Sequence, residues 1–213
     1  MEGYTSENEQ VEAIKKWWRD NGKGIALGLI VGLGGLGGYR YWNGMQDAQA
    51  ENASVNYEQF LNLAAQGGGK EAMETGQAIL TAYPKSTYAR LTALLMAKLA
   101  VDDDKLADGK QHLRWVIDNA GGDELAAIAK ARMAQIILAE GEADAALKTF
   151  RQIGQQQAPQ FAEIEGDILA ALGKKDAAAK AYAAAQTVVA DAGGDPRLIE
   201  LKIESLGLDP AAN

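Results

Sequence analysis

The single histidine, His112, is the strongest candidate for acid–base chemistry in this 213-residue chain, which contains no cysteine. One histidine without cysteine cannot build a zinc site of the usual ligand types. A hydrolase would also need a nucleophile beside a base, and the sequence offers no such pair. We interpret His112 as a surface or groove residue of a helix, and loss of an activity on its replacement would contradict that interpretation.

Two other patterns resemble ligand sites but lack the spacing that binding requires. The acidic run at residues 102–104 is consecutive, whereas a calcium loop spreads its oxygen ligands along the chain. This run is typical of a turn before a helix, with Asp103 or Asp104 as the N-cap. Glycine clusters at residues 67–69, 121–122 and 193–194 lack the lysine and Ser/Thr of a phosphate-binding loop. The sequence therefore predicts a non-enzyme without cofactor or metal.

The elements around these residues are predicted to be helices throughout. From residue 47 onward, apolar residues recur with helical periodicity between glycine or proline breaks, and no stretch is typical of a strand. The predicted helices are 47–66, 69–82, 86–101, 104–119, 123–139, 142–153, 158–172, 174–191 and 196–206. Short turns join them in pairs, which indicates helical hairpins in series.

These hairpins share a repeat with internal spacings of 12, 4 and 3 residues. The three copies are Ala97, Gly109, Leu113 and Val116; Ala134, Ala146, Phe150 and Ile153; and Gly166, Ala178, Tyr182 and Ala185. A weaker copy precedes them, with Phe60, Leu63, Ala72, Ile79 and Pro84 in corresponding places. The small, small, large order and the turn glycine Gly173 resemble the tetratricopeptide repeat, which implies an all-α solenoid with residues 196–206 as a capping helix.

Ahead of the repeats, residues 22–42 are predicted to be a single transmembrane helix. Sixteen uncharged residues separate Lys23 from Arg40, and the 22–42 segment would be about 31 Å long as a helix. Aromatic residues flank both ends, as at membrane interfaces. A buried helix of a soluble domain is the alternative, but seven glycines in residues 24–38 would make such a helix unstable in water.

Charges beside this segment predict its orientation. Four Lys or Arg precede it and only Arg40 lies at its far edge, so the N-terminus is expected in the cytoplasm and residues 43–213 in the periplasm of a bacterium. Residues 1–21 form a cytoplasmic tail whose amphipathic helix lies on the lipid interface or, alternatively, docks on a partner. A cleaved signal peptide ending at residues 48–50 is the rival interpretation, but that site lies far from the apolar segment.

Small-residue faces on this segment suggest helix packing in lipid. The glycines concerned are Gly24, Gly28, Gly32, Gly34 and Gly38. Their four-residue spacing allows close approach of another transmembrane helix, although glycine drift in a tolerant span would produce the same pattern.

The rest of the chain is acidic, which limits its partners. Residues 1–42 carry five basic and five acidic side chains, so the remainder holds the entire net charge of −8. Phosphate backbones would repel such a domain, so nucleic-acid binding is not expected. A small-molecule substrate is not predicted either.

A concave groove along the first helix of each hairpin is the predicted partner-binding surface. Its residues are Leu91, Leu94, Lys98 and Val101, then Ile128, Ala131, Gln135 and Leu138, then Gln160, Glu163 and Asp167. The alternative is that these residues only pack against their neighbours. Clamping of a terminal carboxylate is not expected, because only Lys98 has suitable chemistry.

The whole chain resembles the ancillary SecYEG translocon subunit family, the YfgM-like proteins. The resemblance rests on NEQVEAIKKWWRDNGK (8–23), the glycine-rich span, YRYWN (39–43) and ADAALKTF (143–150). It implies an inner-membrane protein that associates with the SecYEG channel and a membrane-anchored periplasmic chaperone of the PpiD type, and that assists secreted proteins. A self-assembling scaffold of an envelope or division complex is the alternative function.

Overall fold

The computed structural model describes residues 7–67, 69–154 and 158–207, and within these ranges every regular element is a helix. The α-helices are α1 (Glu7–Ala65), α2 (Gly69–Ala82), α3 (Thr87–Asp102), α4 (Leu106–Asn119), α5 (Glu124–Ala139), α6 (Ala143–Phe150), α7 (Ala162–Ala171), α8 (Lys175–Asp191) and α9 (Arg197–Ser205). A 3-10 turn, Ala158–Phe161, precedes α7. The predicted helix bounds from residue 69 onward agree with these elements to within a few residues.

The N-terminal part of the chain is one continuous helix where the sequence suggested three segments. Helix α1 includes the amphipathic stretch, the glycine-rich stretch and the first helix of the repeats. By its internal contacts the chain divides after Glu51 into two units. In the part of the chain that the structure describes, no helix combines the length and apolar character needed to cross a membrane. The span predicted for residues 22–42 therefore stays a prediction, and residues 1–6 of the predicted tail lie outside the described residues.

The second unit, from Asn52 onward, consists of helical hairpins in series. Helices α3 and α4, α5 and α6, and α7 and α8 pair with each other, and each pair also packs on the next. All twelve residues of the three predicted repeat copies are buried. Two apolar clusters run through these hairpins, one centred on α2 to α5 and the other on α5 to α9. The tetratricopeptide-like arrangement is thus confirmed.

In each of the three hairpins a small residue and a large residue, both buried, stand sixteen positions apart. The pairs are Ala97 with Leu113, Ala134 with Phe150, and Gly166 with Tyr182. In the third pair a Cβ at Gly166 would lie 2.4 Å from the Tyr182 ring, so only glycine leaves room for the ring.

The weaker N-terminal copy obeys the same rule with the two sizes exchanged. Phe60 occupies the position of the small residue and Gly76 that of the large one. A Cβ on Gly76 would lie 2.5 Å from the Met96 sulfur of α3 and 3.2 Å from the Phe60 ring, so both side chains require the glycine. Ala72 and Ile79 of this copy are also buried, as the repeat predicts. The exchange explains why the sequence match of this hairpin is poor although its packing is equivalent.

The turns inside the three hairpins share one backbone geometry. Asp104, Gly141 and Gly173 stand at corresponding places and have φ values of 58°, 86° and 71°. In each turn the next residue donates its N–H to a carbonyl five residues earlier, for example Lys105 to Ala100. This is the left-handed helix termination for which glycine is the favoured residue. Asp104 therefore adopts a conformation that costs an L-residue about 1 kcal/mol.

The acidic run at residues 102–104 has a different role from the one predicted. Asp103 ends α3 as its C-cap, and the N-cap of α4 is Lys105, which makes no capping hydrogen bond with its side chain. The N-cap prediction for Asp103 or Asp104 is wrong, because Asp103 and the left-handed Asp104 belong to the turn that ends α3, and Lys105 takes the N-cap position of α4.

Candidate functional site

A groove lies between α3 and α5. Its cavity measures about 360 Å³, and Leu106 and Leu113 of α4 contribute to its floor. Helix α3 supplies Ala97, Lys98 and Val101. Helix α5 supplies Arg132, Gln135, Ile136 and Ala139. We call this surface, made of these nine residues, the α3–α5 groove.

Three of the predicted groove residues line this cavity. Lys98, Val101 and Gln135 meet there, although 34 or more residues separate Gln135 from the other two. Leu91, Ile128 and Leu138 are partly buried outside its lining, and Leu94 is buried in the core. The structure thus brings Lys98 and Gln135 together with Val101, while the other aliphatic members of the predicted set in α3 and α5 mainly pack against neighbouring helices.

The exposed face of α5 is rotated relative to the predicted one. The prediction used positions 128, 131, 135 and 138, whereas positions 132, 135, 136 and 139 line the cavity. Ala131 is buried in the second apolar cluster, where a small side chain allows close helix packing. Arg132 consequently enters the groove, and its Nη1 donates to the backbone oxygen of Leu94 at 3.4 Å. The helical spacing from Ile128 to Arg132 was the signal that could have identified this second cation.

At the other end of the solenoid, the predicted acidic residues are held by the capping helix. The Nζ of Lys202 donates to Glu163 Oε1 at 2.7 Å and to both Asp167 oxygens at 2.8 Å. The hydroxyl of Tyr182 donates to Asp167 Oδ1 at 2.8 Å. Gln160, the remaining predicted residue, is exposed. Helix α9 therefore covers the acidic end of the predicted groove by an ion-pair network that joins α7, α8 and α9.

Protonation equilibria in this network follow from burial and from its hydrogen bonds. Burial, the hydrogen bond to Asp167 and the nearby carboxylates raise the pKa of Tyr182 above its ordinary value of 10.0. Burial alone would lower the pKa of Lys202, but its hydrogen bonds to Asp167 and Glu163 outweigh that effect and raise it. Both groups thus keep their protons to higher pH in the folded protein.

The glycines predicted for packing in lipid all lie on exposed parts of α1. A Cβ added at Gly24, Gly28, Gly32, Gly34 or Gly38 would meet nothing within 4 Å. Val31, Leu33 and Leu36 are exposed between them. Among the described residues nothing covers these positions, and their role as a helix contact stays a prediction.

His112 lies half-buried on α4, as the sequence suggested. Burial lowers its pKa, and the Asp108 carboxylate opposes that shift only in part. Among the described residues no group of three or more His, Cys, Asp or Glu side chains is placed to hold a metal ion.

The fold and groove define a helical-repeat interaction protein, and comparison with known families agrees. The family model of the tetratricopeptide repeat-like domain matches residues 15–208. The chain is 35% identical over 185 residues to a protein of Escherichia coli (strain K12) named "Ancillary SecYEG translocon subunit", covering 86% of this chain and 89% of that protein. A protein of the same name from Aggregatibacter actinomycetemcomitans is 31% identical over 207 residues, covering 95% and 99%.

This chain belongs to the ancillary SecYEG translocon subunit family. The relatives are matched over nearly their whole length, so the similarity includes the N-terminal helix as well as the repeats. A translocon subunit with tetratricopeptide-like repeats is not a class of enzyme.

Proposed function

We propose that this protein is a non-enzymatic scaffold of the bacterial inner membrane that associates with the SecYEG translocon. The observation that carries the proposal is its similarity, over most of both chains, to proteins named as ancillary subunits of that translocon. Its hairpins provide the interaction surface, because repeat solenoids present extended concave walls to other polypeptides. In this role it holds a partner chaperone of the PpiD type and assists the transfer of secreted proteins to the periplasm.

Residues 22–42 serve as the membrane anchor in this proposal, with the N-terminus in the cytoplasm. Support comes from the sixteen uncharged residues between Lys23 and Arg40 and from the exposed aliphatic side chains along that stretch of α1. Trp17 and Trp18 are exposed at its beginning and Tyr39 at its end, where aromatic rings favour the headgroup region. The positive side chains before the stretch favour retention of the N-terminus in the cytoplasm.

Co-purification tests the proposed association. The tagged full-length chain is isolated from gently solubilised membranes, and bound proteins are identified by mass spectrometry. We expect SecYEG subunits and a periplasmic chaperone at a fixed ratio to the bait. Recovery of neither would refute the proposal, whereas recovery of the channel without the chaperone would refute its chaperone part only.

The glycine face of α1 provides a sharper test of the contact in lipid. Replacement of Gly28 and Gly32 with leucine adds bulk to a face that we propose lies against another transmembrane helix. We expect loss of co-purification with unchanged membrane insertion. Leu33→Gly is the matched control, because Leu33 lies about 140° around the helix from Gly28. Equal loss in the control, or unchanged association in the glycine variant, would contradict the assignment.

A self-assembling scaffold is the second candidate, and one observation favours it. Helix α9 exposes Leu198 and Leu201, each at 61%, although terminal repeats usually present a polar outer face. Size-exclusion chromatography with light scattering distinguishes the candidates. A homo-oligomer that Leu198→Glu and Leu201→Glu convert to a monomer, without any translocon subunit bound, would favour the second function.

A further inference from the structure

The α3–α5 groove combines an apolar floor with a positively charged rim. Six of its nine residues are Ala, Val, Leu or Ile, and the other three are Lys98, Arg132 and Gln135. We propose that this groove binds an extended segment of a partner polypeptide in which an apolar side chain stands next to a side-chain carboxylate. The inference rests on the proposed function, because it names the chemistry of a segment that such a scaffold would hold.

The groove has room for an inserted side chain of a bound segment. Its volume of about 360 Å³ is near the lower end of the range for ligand pockets. The apolar floor residues come from three helices, so an inserted aliphatic side chain would be surrounded on several sides. Each methylene group that moves from water onto that floor contributes to binding. The floor has no polar side chain that could pair with a polar group of the bound segment.

The rim supplies positive charge on a chain that is acidic overall. The chain as a whole carries a net charge of −8, so most of its surface repels acidic segments. At the groove, the Lys98 side chain is 60% exposed and pairs with Asp102, and Arg132 donates to one backbone oxygen. An ammonium has three donors and a guanidinium five, so both cations keep donors for an incoming carboxylate. Gln135 adds an amide between them.

The arrangement of these donors favours a side-chain carboxylate over a chain terminus. Capture of a terminal carboxylate requires donors that converge on one point. Here Lys98 is directed toward Asp102 and Arg132 toward the Leu94 backbone, so the two cations diverge. A carboxylate on a flexible side chain can reach either cation while the neighbouring apolar residue stays in the groove.

Peptide binding to the full-length protein tests the inference. The protein is reconstituted in nanodiscs of neutral lipid, and fluorescence anisotropy measures binding of short, N-acetylated and C-amidated peptides. Each of these peptides has a glycine–serine background around a central Leu-Leu-Glu, Leu-Leu-Gln or Ser-Ser-Glu. One further N-acetylated glycine–serine peptide ends in Leu-Leu and keeps its free terminal carboxylate. We expect Leu-Leu-Gln to bind about three- to tenfold more weakly than Leu-Leu-Glu, and Ser-Ser-Glu to bind more weakly still.

Variants identify the groove as the site. The double variant Lys98→Met, Arg132→Met keeps the aliphatic length but removes both charges, and we expect it to bind the Glu and Gln peptides equally. Ala139→Trp fills the groove from an exposed position and should weaken both peptides about fivefold or more. The matched control is Lys148→Met, Lys180→Met, which removes two exposed cations outside the groove and should retain the preference for glutamate. Circular dichroism confirms that each variant folds.

Four results would overturn the inference. They are no binding of the Leu-Leu-Glu peptide to the unmodified protein, equal binding of the Glu and Gln peptides, a preference for glutamate that survives in the Lys98 and Arg132 variant, and tighter binding of a peptide with a free terminal carboxylate. The titration contains no translocon, and the co-purification contains no added peptide. Failure of the inference is therefore distinguishable from failure of the proposed function.

Discussion

Gly166 gives the most direct test of how the hairpins are packed, because its replacement by alanine adds a single carbon at a known place. That carbon would lie 2.4 Å from both Cδ1 and Cε1 of Tyr182 and 3.0 Å from its Cγ. Carbon atoms in favourable contact are about 3.5–4.0 Å apart, so the ring or the helix would have to move by more than about 1 Å. The Tyr182 ring is buried, and its hydroxyl is bonded to Asp167, which opposes that movement.

The expected magnitude combines two opposing effects. Overpacking of a core costs about 1–3 kcal/mol and occasionally more, whereas alanine in place of glycine within a helix contributes about 1 kcal/mol of stability. Because the overlap involves two ring atoms, we place the net loss for Gly166→Ala at about 2 kcal/mol. For a domain of this size that loss corresponds to a decrease in Tm of about 4–8 °C.

Thermal and urea denaturation of the single and double variants measure this effect. Tyr182→Leu reproduces the leucine of the first hairpin, where Ala97 and Leu113 occupy the corresponding positions, so Gly166→Ala should cost much less in that background. A coupling energy of at least about 1 kcal/mol is expected from the double-mutant cycle. Gly69→Ala is the control, since a Cβ there meets nothing within 4 Å, and it should not destabilise. A Gly166→Ala protein as stable as the parent, or a coupling energy near zero, would refute the packing argument.

Three further predictions concern the turns and the capping helix. Asp104→Gly should raise the free energy of unfolding by about 1 kcal/mol in urea denaturation, because it relieves the left-handed strain, and a loss of stability would contradict the turn geometry. Because the pKa of Tyr182 is raised, the folded protein keeps a proton that the unfolded chain loses above about pH 10, so this contribution to stability is fully present below that pH and falls above it. Tyr182→Phe should reduce the fall in the free energy of unfolding between about pH 10 and 12. An unchanged slope would count against the assignment to Tyr182. Lys202→Met leaves Glu163 and Asp167 without their shared cation, so α9 should lose protection in hydrogen exchange before the rest of the domain, and uniform protection would exclude this role.

The repeat architecture could be predicted because it depends on local order in the sequence. Helical periodicity located the hairpins, and the spacing of 12, 4 and 3 residues placed the small and large side chains that the core then buries. Even the weaker copy was found, although the exchanged sizes at Phe60 and Gly76 obscured it. Hydropathy did not decide whether residues 22–42 form a transmembrane helix. Seven glycines lower the mean hydropathy of a stretch in which residues 24–39 carry no charge.

The groove was less predictable because it depends on rotations and on contacts between distant residues. The orientation of α5 about its axis buries Ala131 and exposes the next residue, Arg132. An orientation rotated by one residue would expose Ala131 instead, and the apolar periodicity of the sequence is similar for the two orientations. Lys202 lies 39 residues from Glu163, and no local pattern indicates that they pair. Asp104 was predicted as a helix N-cap because aspartate is common at that position. In the structure it occupies the left-handed position of the turn instead.

The size-matched pairs sixteen residues apart also limit how this chain can change. Each pair has one small and one large member, and the order is reversed only between Phe60 and Gly76. A substitution that enlarges one member is tolerated only when its partner shrinks, so the two positions of a pair should vary together among related sequences. By the same rule, hairpins exchanged between engineered solenoids should carry both members of a pair.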